Sequence, residues 1–125
     1  MSKTILLTAA LMLALAVVFG AFGAHALKAR LSEDMMQVYK TGVEYHFYHA
    51  LGLMLVGLLA VHMPSSLINW SAVCLAAGII LFSGSLYVLA ITGIKWLGAI
   101  TPVGGLSFIA GWILLFIAVW KKAPV

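Results

Sequence analysis

Charge is what this sequence has least of. Only 8% of its 125 residues are Asp, Glu, Lys or Arg, and three of them are acidic, whereas a soluble domain carries about 25%. With 65% of residues hydrophobic and a mean hydropathy of +1.18, the chain falls outside the soluble globular class. Cysteine is nearly absent too. A single Cys74 excludes an intramolecular disulfide, a cysteine-based metal site and covalent haem attachment, and its place in an apolar run reads as a small buried hydrophobe. Nor is there a basic stripe. Lys3, Lys28, Arg30, Lys40, Lys95, Lys121 and Lys122 are scattered toward segment ends, where long cationic side chains reach for the interface; this excludes nucleic acid as a partner.

What the sequence does have is long hydrophobic runs. A bilayer core takes about 20 apolar residues per helix, so the chain has room for about four spans and no sizeable domain outside the lipid. The runs fall at 4–27, 41–63, 67–91 and 102–120. Lys3 and the small-x-small pattern Ala24-His25-Ala26 give the first run the look of a secretory signal. Its uninterrupted stretch from Ile5 to Phe22 is longer than a signal core, however, so a retained helix is expected. Residues 28–40 form a polar, amphipathic connection in which Leu27, Leu31, Met35 and Val38 keep helical spacing. Ser32 before Glu33 and Asp34 reads as an N-cap with acids in the first turn, so helix two is expected to begin outside the membrane and run into it.

Pro64-Ser65-Ser66 makes a tight turn into run three, and Thr92-Gly93 supplies its stop. Thr101 and Pro102 read as N-cap and first helical position of run four, with Lys121 and Lys122 as closing anchors. The expectation is an all-α integral membrane protein, one domain of four transmembrane helices in an up-down bundle. Both termini and the Pro64 turn lie on one side of the membrane and the two longer loops on the other. Three Lys or Arg residues flank the spans on the terminal side and four on the loop side, which sets no orientation; Lys3, preceding the first span to insert, favours cytoplasmic termini.

Small residues at four-residue spacing, Ala16, Gly20 and Ala24, and a second group, Ser83-Gly84-Ser85, predict close approach of helices one and three. Ser107 and Gly111 give helix four a similar face. Gly104 and Gly105, just after the start of helix four, leave two readings open: amides available to an anion, or slack for the preceding loop to fold over the bundle.

Ionisable groups within a membrane are costly and point to function by default. They concentrate at the loop end, in Glu44-Tyr45-His46-Phe47-Tyr48-His49, with His25 at the end of helix one. At 100° per residue, His46 and His49 are about 60° apart on one face, whereas Glu44 points about 160° from His46 and lies over Tyr48. A zinc-protease arrangement, with histidines four apart and the glutamate between, is therefore excluded. His25, His46 and His49 are candidates to hold a metal ion such as zinc or copper, or a noncovalent haem between Phe22 and Phe47. The alternative is a structural network of interfacial Tyr and His. Lys40, four residues before Glu44, is that carboxylate's simplest partner. His62 lies alone at the opposite interface.

Phe22-Gly23-Ala24-His25-Ala26-Leu27, Glu44-Tyr45-His46-Phe47-Tyr48-His49-Ala50-Leu51, Ser83-Gly84-Ser85-Leu86-Tyr87, and Thr101-Pro102-Val103-Gly104-Gly105 followed by Gly111-Trp112 together resemble the YwdK-like family of small bacterial membrane proteins. That family is known as domain of unknown function 423, with eukaryotic relatives named transmembrane protein 256. The resemblance covers nearly the whole chain and implies a multi-pass protein of the bacterial plasma membrane with no established activity. It also puts emphasis on His25, Glu44, His46, His49, Tyr87, Thr101 and Pro102, all at the loop-side end.

Three functions compete. The first is a non-enzymatic accessory or membrane-stabilising component, partnered by lipid, by further copies of itself or by another membrane protein, with a polar cluster of His25, Glu44, Tyr45, His46, Tyr48, His49, Tyr87 and Thr101 at one face. The second is a metal- or haem-binding protein using His25, His46 and His49. The third is a small proton-coupled carrier centred on Glu44. No nucleophile with its base and no phosphate loop is present, so no catalytic residue is assigned.

Overall fold

A computed structural model describes residues 1–122 as four antiparallel helices, each long and apolar enough to cross a membrane. Helix α1 (Ser2–Leu27) is α-helical through Phe22 and finishes in a wider π turn, Gly23–Leu27. Helix α2 (Glu33–His62) starts outside the apolar run, so the connection expected over 28–40 is divided: a short loop, then the first turns of α2. Ser32 caps it as expected, its hydroxyl accepting from the Met35 amide at 3.2 Å. Helix α3 (Ser66–Thr92) carries a π turn at Ile79–Ser83. Gly93, in the left-handed region at φ 72°, stops it and donates to the Leu89 carbonyl at 2.8 Å. A 3-10 turn, Lys95–Ala99, leads into α4 (Thr101–Lys122).

The central helix shows most plainly why the elements pack as they do. Tyr39, Gly42, His46, His49, Leu53, Val56 and Ala60 are all buried, and they follow one another at alternating spacings of three and four. That is the heptad rhythm that keeps one seam of a helix against its neighbours. His46 and His49 thus occupy core positions of the seam. A shorter row, Gly104, Phe108, Gly111 and Ala118, lies along α4.

The order is an open row in which α1 packs on α2, α2 on α3, and α3 on α4, with α2 also reaching α4 through His49 on Phe108 and Gly52 against Trp112. About 44% of the apolar windows of α2 and α3 is buried, against 17% and 22% for α1 and the fourth span, which makes the two inner helices the scaffold. The main apolar core draws on all four, with Ile5, Ala9, Leu53, Val56, Ile68, Leu75 and Phe108 among its members. Lipid is as apolar as these side chains, so close fit and interhelical hydrogen bonds hold the helices together. Between α3 and α4 the bonds are reciprocal. Ser71 Oγ donates to the Gly111 carbonyl and Ser107 Oγ to the Cys74 carbonyl, each at 2.7 Å.

The expected approach of α1 to α3 through small residues is not what forms. Gly20 lies beside Val43 and Phe47 of α2, and Gly84 has nothing within 4 Å of a Cβ placed on it. The reason is the row order, since α2 lies between α1 and α3 and leaves a groove where contact was expected. The small-residue face expected on α4 does form, against Ser71 and Leu75 of α3.

Candidate functional site

The loop-side half of the bundle gathers aromatic and polar side chains at the α1/α2/α3 junction. Tyr39, on the first turns of α2, is 1% exposed, and its hydroxyl donates to the Phe19 carbonyl of α1. Its ring occupies the space a side chain at Gly23 would need, so the π turn and the tyrosine fit only because position 23 is glycine. Tyr87 of α3 comes next, with its ring 5.2 Å from Tyr39 and 4.8 Å from Phe19 between centroids. Its hydroxyl lies 2.8 Å from His46 Nδ1.

That contact fixes the tautomer of the imidazole. The phenol has one proton and His46 Nδ1 is its one hydrogen-bond partner among the described residues. If Nδ1 carried the proton, the phenol proton would be buried without an acceptor, at substantial cost. The satisfied arrangement has Tyr87 donating to Nδ1, which leaves the proton on Nε2. Nε2 is buried on the side of the Met12 backbone of α1, and Ser83 Oγ, one turn before Tyr87, is buried without a hydrogen-bond partner among the described residues.

His49 faces another neighbour. It stacks on Phe108 of α4 with centroids 3.5 Å apart and planes at 10°, and its Nδ1 donates to the Tyr45 carbonyl at 2.8 Å. Thr101 was expected to cap its own helix. It is the first helical residue instead, and its hydroxyl reaches Ser85 of α3 at 2.6 Å. Ser85 in turn donates to the Phe82 carbonyl at 2.9 Å, so the proton between the two hydroxyls comes from Thr101. Gly104, one turn on, lies directly against the backbone of Leu81 and Phe82 in the α3 π turn. Its role is close helix contact, which neither the anion reading nor the loop reading anticipated.

The expected metal or haem set does not come together. His25 is exposed on the π turn of α1, His46 Nδ1 is engaged by Tyr87, and His49 is held between Tyr45 and Phe108. Among the described residues no three His, Cys, Asp or Glu side chains gather to hold an ion. A 60° separation on α2 is enough to send the two imidazoles to different helices, since α2 is flanked on several sides.

Of the other residues singled out by sequence, Glu44, Tyr45 and Tyr48 are exposed. Glu44 lies with Lys28 and Lys40 along a cleft of about 310 Å³ between α1 and α2, whose floor includes Gly20, Gly23 and Tyr39. Tyr45 packs its ring on Phe82, centroids 4.6 Å apart.

A family model described as "Protein of unknown function (DUF423)" matches residues 19–105 of this chain, which include the Phe19, Tyr39, His46 and Tyr87 junction. The chain belongs to the DUF423 family. This DUF423 chain is 46% identical over 119 residues to the UPF0382 membrane protein SH2409 of Staphylococcus haemolyticus, covering 95% of this chain and 97% of that one. It is likewise 46% identical over 120 residues to the UPF0382 membrane protein YwdK of Bacillus subtilis, covering 95% and 98%. A Staphylococcus aureus relative of the same name class is 45% identical over 121 residues, covering 97% and 98%. No solved structure matches the chain.

Sequence reasoning found His46, Tyr87 and Thr101 in this DUF423 site but missed Tyr39, Phe19, Ser83 and Ser85 as members of it. Tyr39 had a signal: it begins the three-four row that continues through Gly42, His46 and His49. Ser83 and Ser85 were read only for their small size.

Proposed function

We propose that this chain is a non-enzymatic accessory component of the bacterial plasma membrane, a small apolar body that stabilises the bilayer or the proteins around it. The observation that supports this is where the polar side chains go. His46 to Tyr87, Thr101 to Ser85, Ser71 to Gly111, Ser107 to Cys74 and Tyr39 to Phe19 are all bonds between helices. Groups that sequence offered as chemistry are used as fasteners, and the outer faces of α1 and α4 present Leu7, Leu11, Val17, Leu106, Ile109 and Phe116 outward. Carrier function fits less well, since a carrier places its coupling residue near the bilayer midplane on broken helices. Glu44 instead sits exposed near the loop end, beside two lysines.

Reconstitution tests the reading. Vesicles holding the protein should retain a trapped dye longer on heating than empty vesicles, and a Gly104→Leu protein, with α4 prised from α3, should lose that benefit. Proton flux should equal that of empty vesicles and be unchanged by Glu44→Gln. A flux that disappears in Glu44→Gln would replace the accessory role with transport, and dye retention equal to that of empty vesicles would remove the stabilising role.

A further inference from the structure

The cleft between α1 and α2 is the place where charge and apolar surface meet at the loop end. Its floor is made of Gly20, Gly23, Val43 and the ring of Tyr39, and Ala24, exposed on α1, opens it toward the lipid. A second hollow of about 370 Å³ continues it outward, past Leu31, Glu33 and Gln37. Lys28, Met36 and Lys40 line both hollows, which makes them the waist of one continuous trough. Glu44 stands on the inner side of that waist and Glu33 on the outer. The four charged residues are all exposed, and among the described residues none of them comes within 4 Å of an opposite charge, the reach of an ion pair.

We infer that this trough seats an aminophospholipid, with its phosphate between Lys28 and Lys40, its headgroup ammonium on Glu33 and an acyl chain over Gly20 and Val43.

The order of the charges selects the ligand. Glu33, Lys40 and Glu44 fall within about 40° of one another around α2, and Lys28 faces them from the end of α1. From the water inward the trough therefore runs negative, positive, negative. Helical side chains lean toward their own N-terminus, so Lys40, about 10 Å along the axis from Glu33, reaches outward toward it. An aminophospholipid presents its groups in the matching order: ammonium outermost, phosphate next, then uncharged esters and chains. Glu44 offsets one of the two lysines, so the lining sums to zero, as the headgroup does. A lipid carrying the phosphate alone would bring an unbalanced negative charge between two carboxylates. A choline headgroup has no N–H to donate to Glu33, whereas a primary ammonium has three. The apolar floor, open to the bilayer through Ala24, calls for a ligand with chains rather than a soluble zwitterion. This site goes beyond the accessory role and does not depend on it.

In the test, the full-length protein is released from detergent micelles holding equal amounts of phosphatidylethanolamine, phosphatidylcholine and phosphatidylglycerol, and the lipid it keeps is counted by native mass spectrometry. One phosphatidylethanolamine should stay on the chain at least about fivefold more often than either of the others, the worth of one charged contact at a headgroup. Glu33→Gln should bring phosphatidylethanolamine down to the level of phosphatidylcholine, and Lys40→Gln should lower retention of all three about fivefold. Two controls should change nothing: Asp34→Asn, the same loss of charge one residue on but lining neither hollow, and Lys95→Gln, on the same side of the membrane and outside the trough. Equal retention of the three lipids overturns the inference. So do controls that lose as much as Glu33→Gln and Lys40→Gln, which would make the effect one of diffuse surface charge, and so does displacement of the lipid by an equal concentration of glycerophosphoethanolamine, the headgroup without its chains. Dye retention in vesicles of phosphatidylcholine alone tests the accessory role without this site, so either reading can fail by itself.

Discussion

At the scale of the residue, a membrane interior makes single polar atoms and single Cβ atoms decisive. Tyr87→Phe removes one oxygen and leaves His46 Nδ1 buried without its partner. The expected loss is about 1 kcal/mol, near the upper part of the range for interhelical bonds in membranes, read as a lower unfolding midpoint in detergent. Tyr48→Phe, at a ring 58% exposed, should leave the midpoint where it was. Equal midpoints for the two variants would mean that the Tyr87 bond holds nothing together. The glycines make a similar pair. Gly104→Ala pushes a methyl into the backbone of Phe82, and α4 must move away from α3 at a cost of about 1–3 kcal/mol. Gly84→Ala enters open space and should change stability by less than about 0.5 kcal/mol. Thermal unfolding of both in the same micelle decides it, and equal losses would contradict the α3/α4 contact.

At the scale of the element, the parts legible in sequence were those written in local order along the chain. Ser32 as a cap, Gly93 as a stop and four runs of apolar residues depend on neighbours a few positions away. The two π turns were not legible, because each is set by a side chain or backbone from elsewhere: Tyr39 against Gly23, and Gly104 against Leu81 and Phe82. Helix order was not legible either. The small residues at Gly20 and Gly84 said that something could come close and not what would, and the structure puts Val43 at one and nothing at the other. The π turn of α3 carries a prediction. It takes in one residue more than a regular turn, so deleting Ile80 would close it to an α turn, leaving Gly84–Thr92 on nearly the same face but removing the widened backbone that lies against Gly104. Ile80 is 62% exposed, so Ile80→Ala serves as the control for lost side-chain contact. The deletion should lower the unfolding midpoint well beyond that control, and a matching drop would show that the widened turn contributes nothing to the α3/α4 contact.

At the scale of the whole molecule, the even number of helices sets the sidedness of the chain whichever way it faces. In a Cys74→Ser background, Ala29→Cys and Ala99→Cys should react with an impermeant maleimide from the same side of sealed vesicles, and Pro64→Cys from the other. Any other pairing would mean that one helix does not cross. The arrangement of the row also bears on how the chain enters the bilayer. The apolar window of α2 has a mean hydropathy of 1.3, against 2.6 for α1 and 2.2 for each of the other two, because the apolar part of α2 carries His46, His49 and His62 with Tyr45 and Tyr48. Yet α2 is the helix on which α1 packs most extensively. Of these four helices the one that emerges first is thus the greasiest, and it is the neighbour of the one least able to insert unaided. Made alone and fused to a reporter of translocation, α2 should partition poorly; made behind α1, it should integrate as one limb of a hairpin. The open row is in that sense also a schedule, in which each reluctant segment arrives beside a helix already dissolved in lipid.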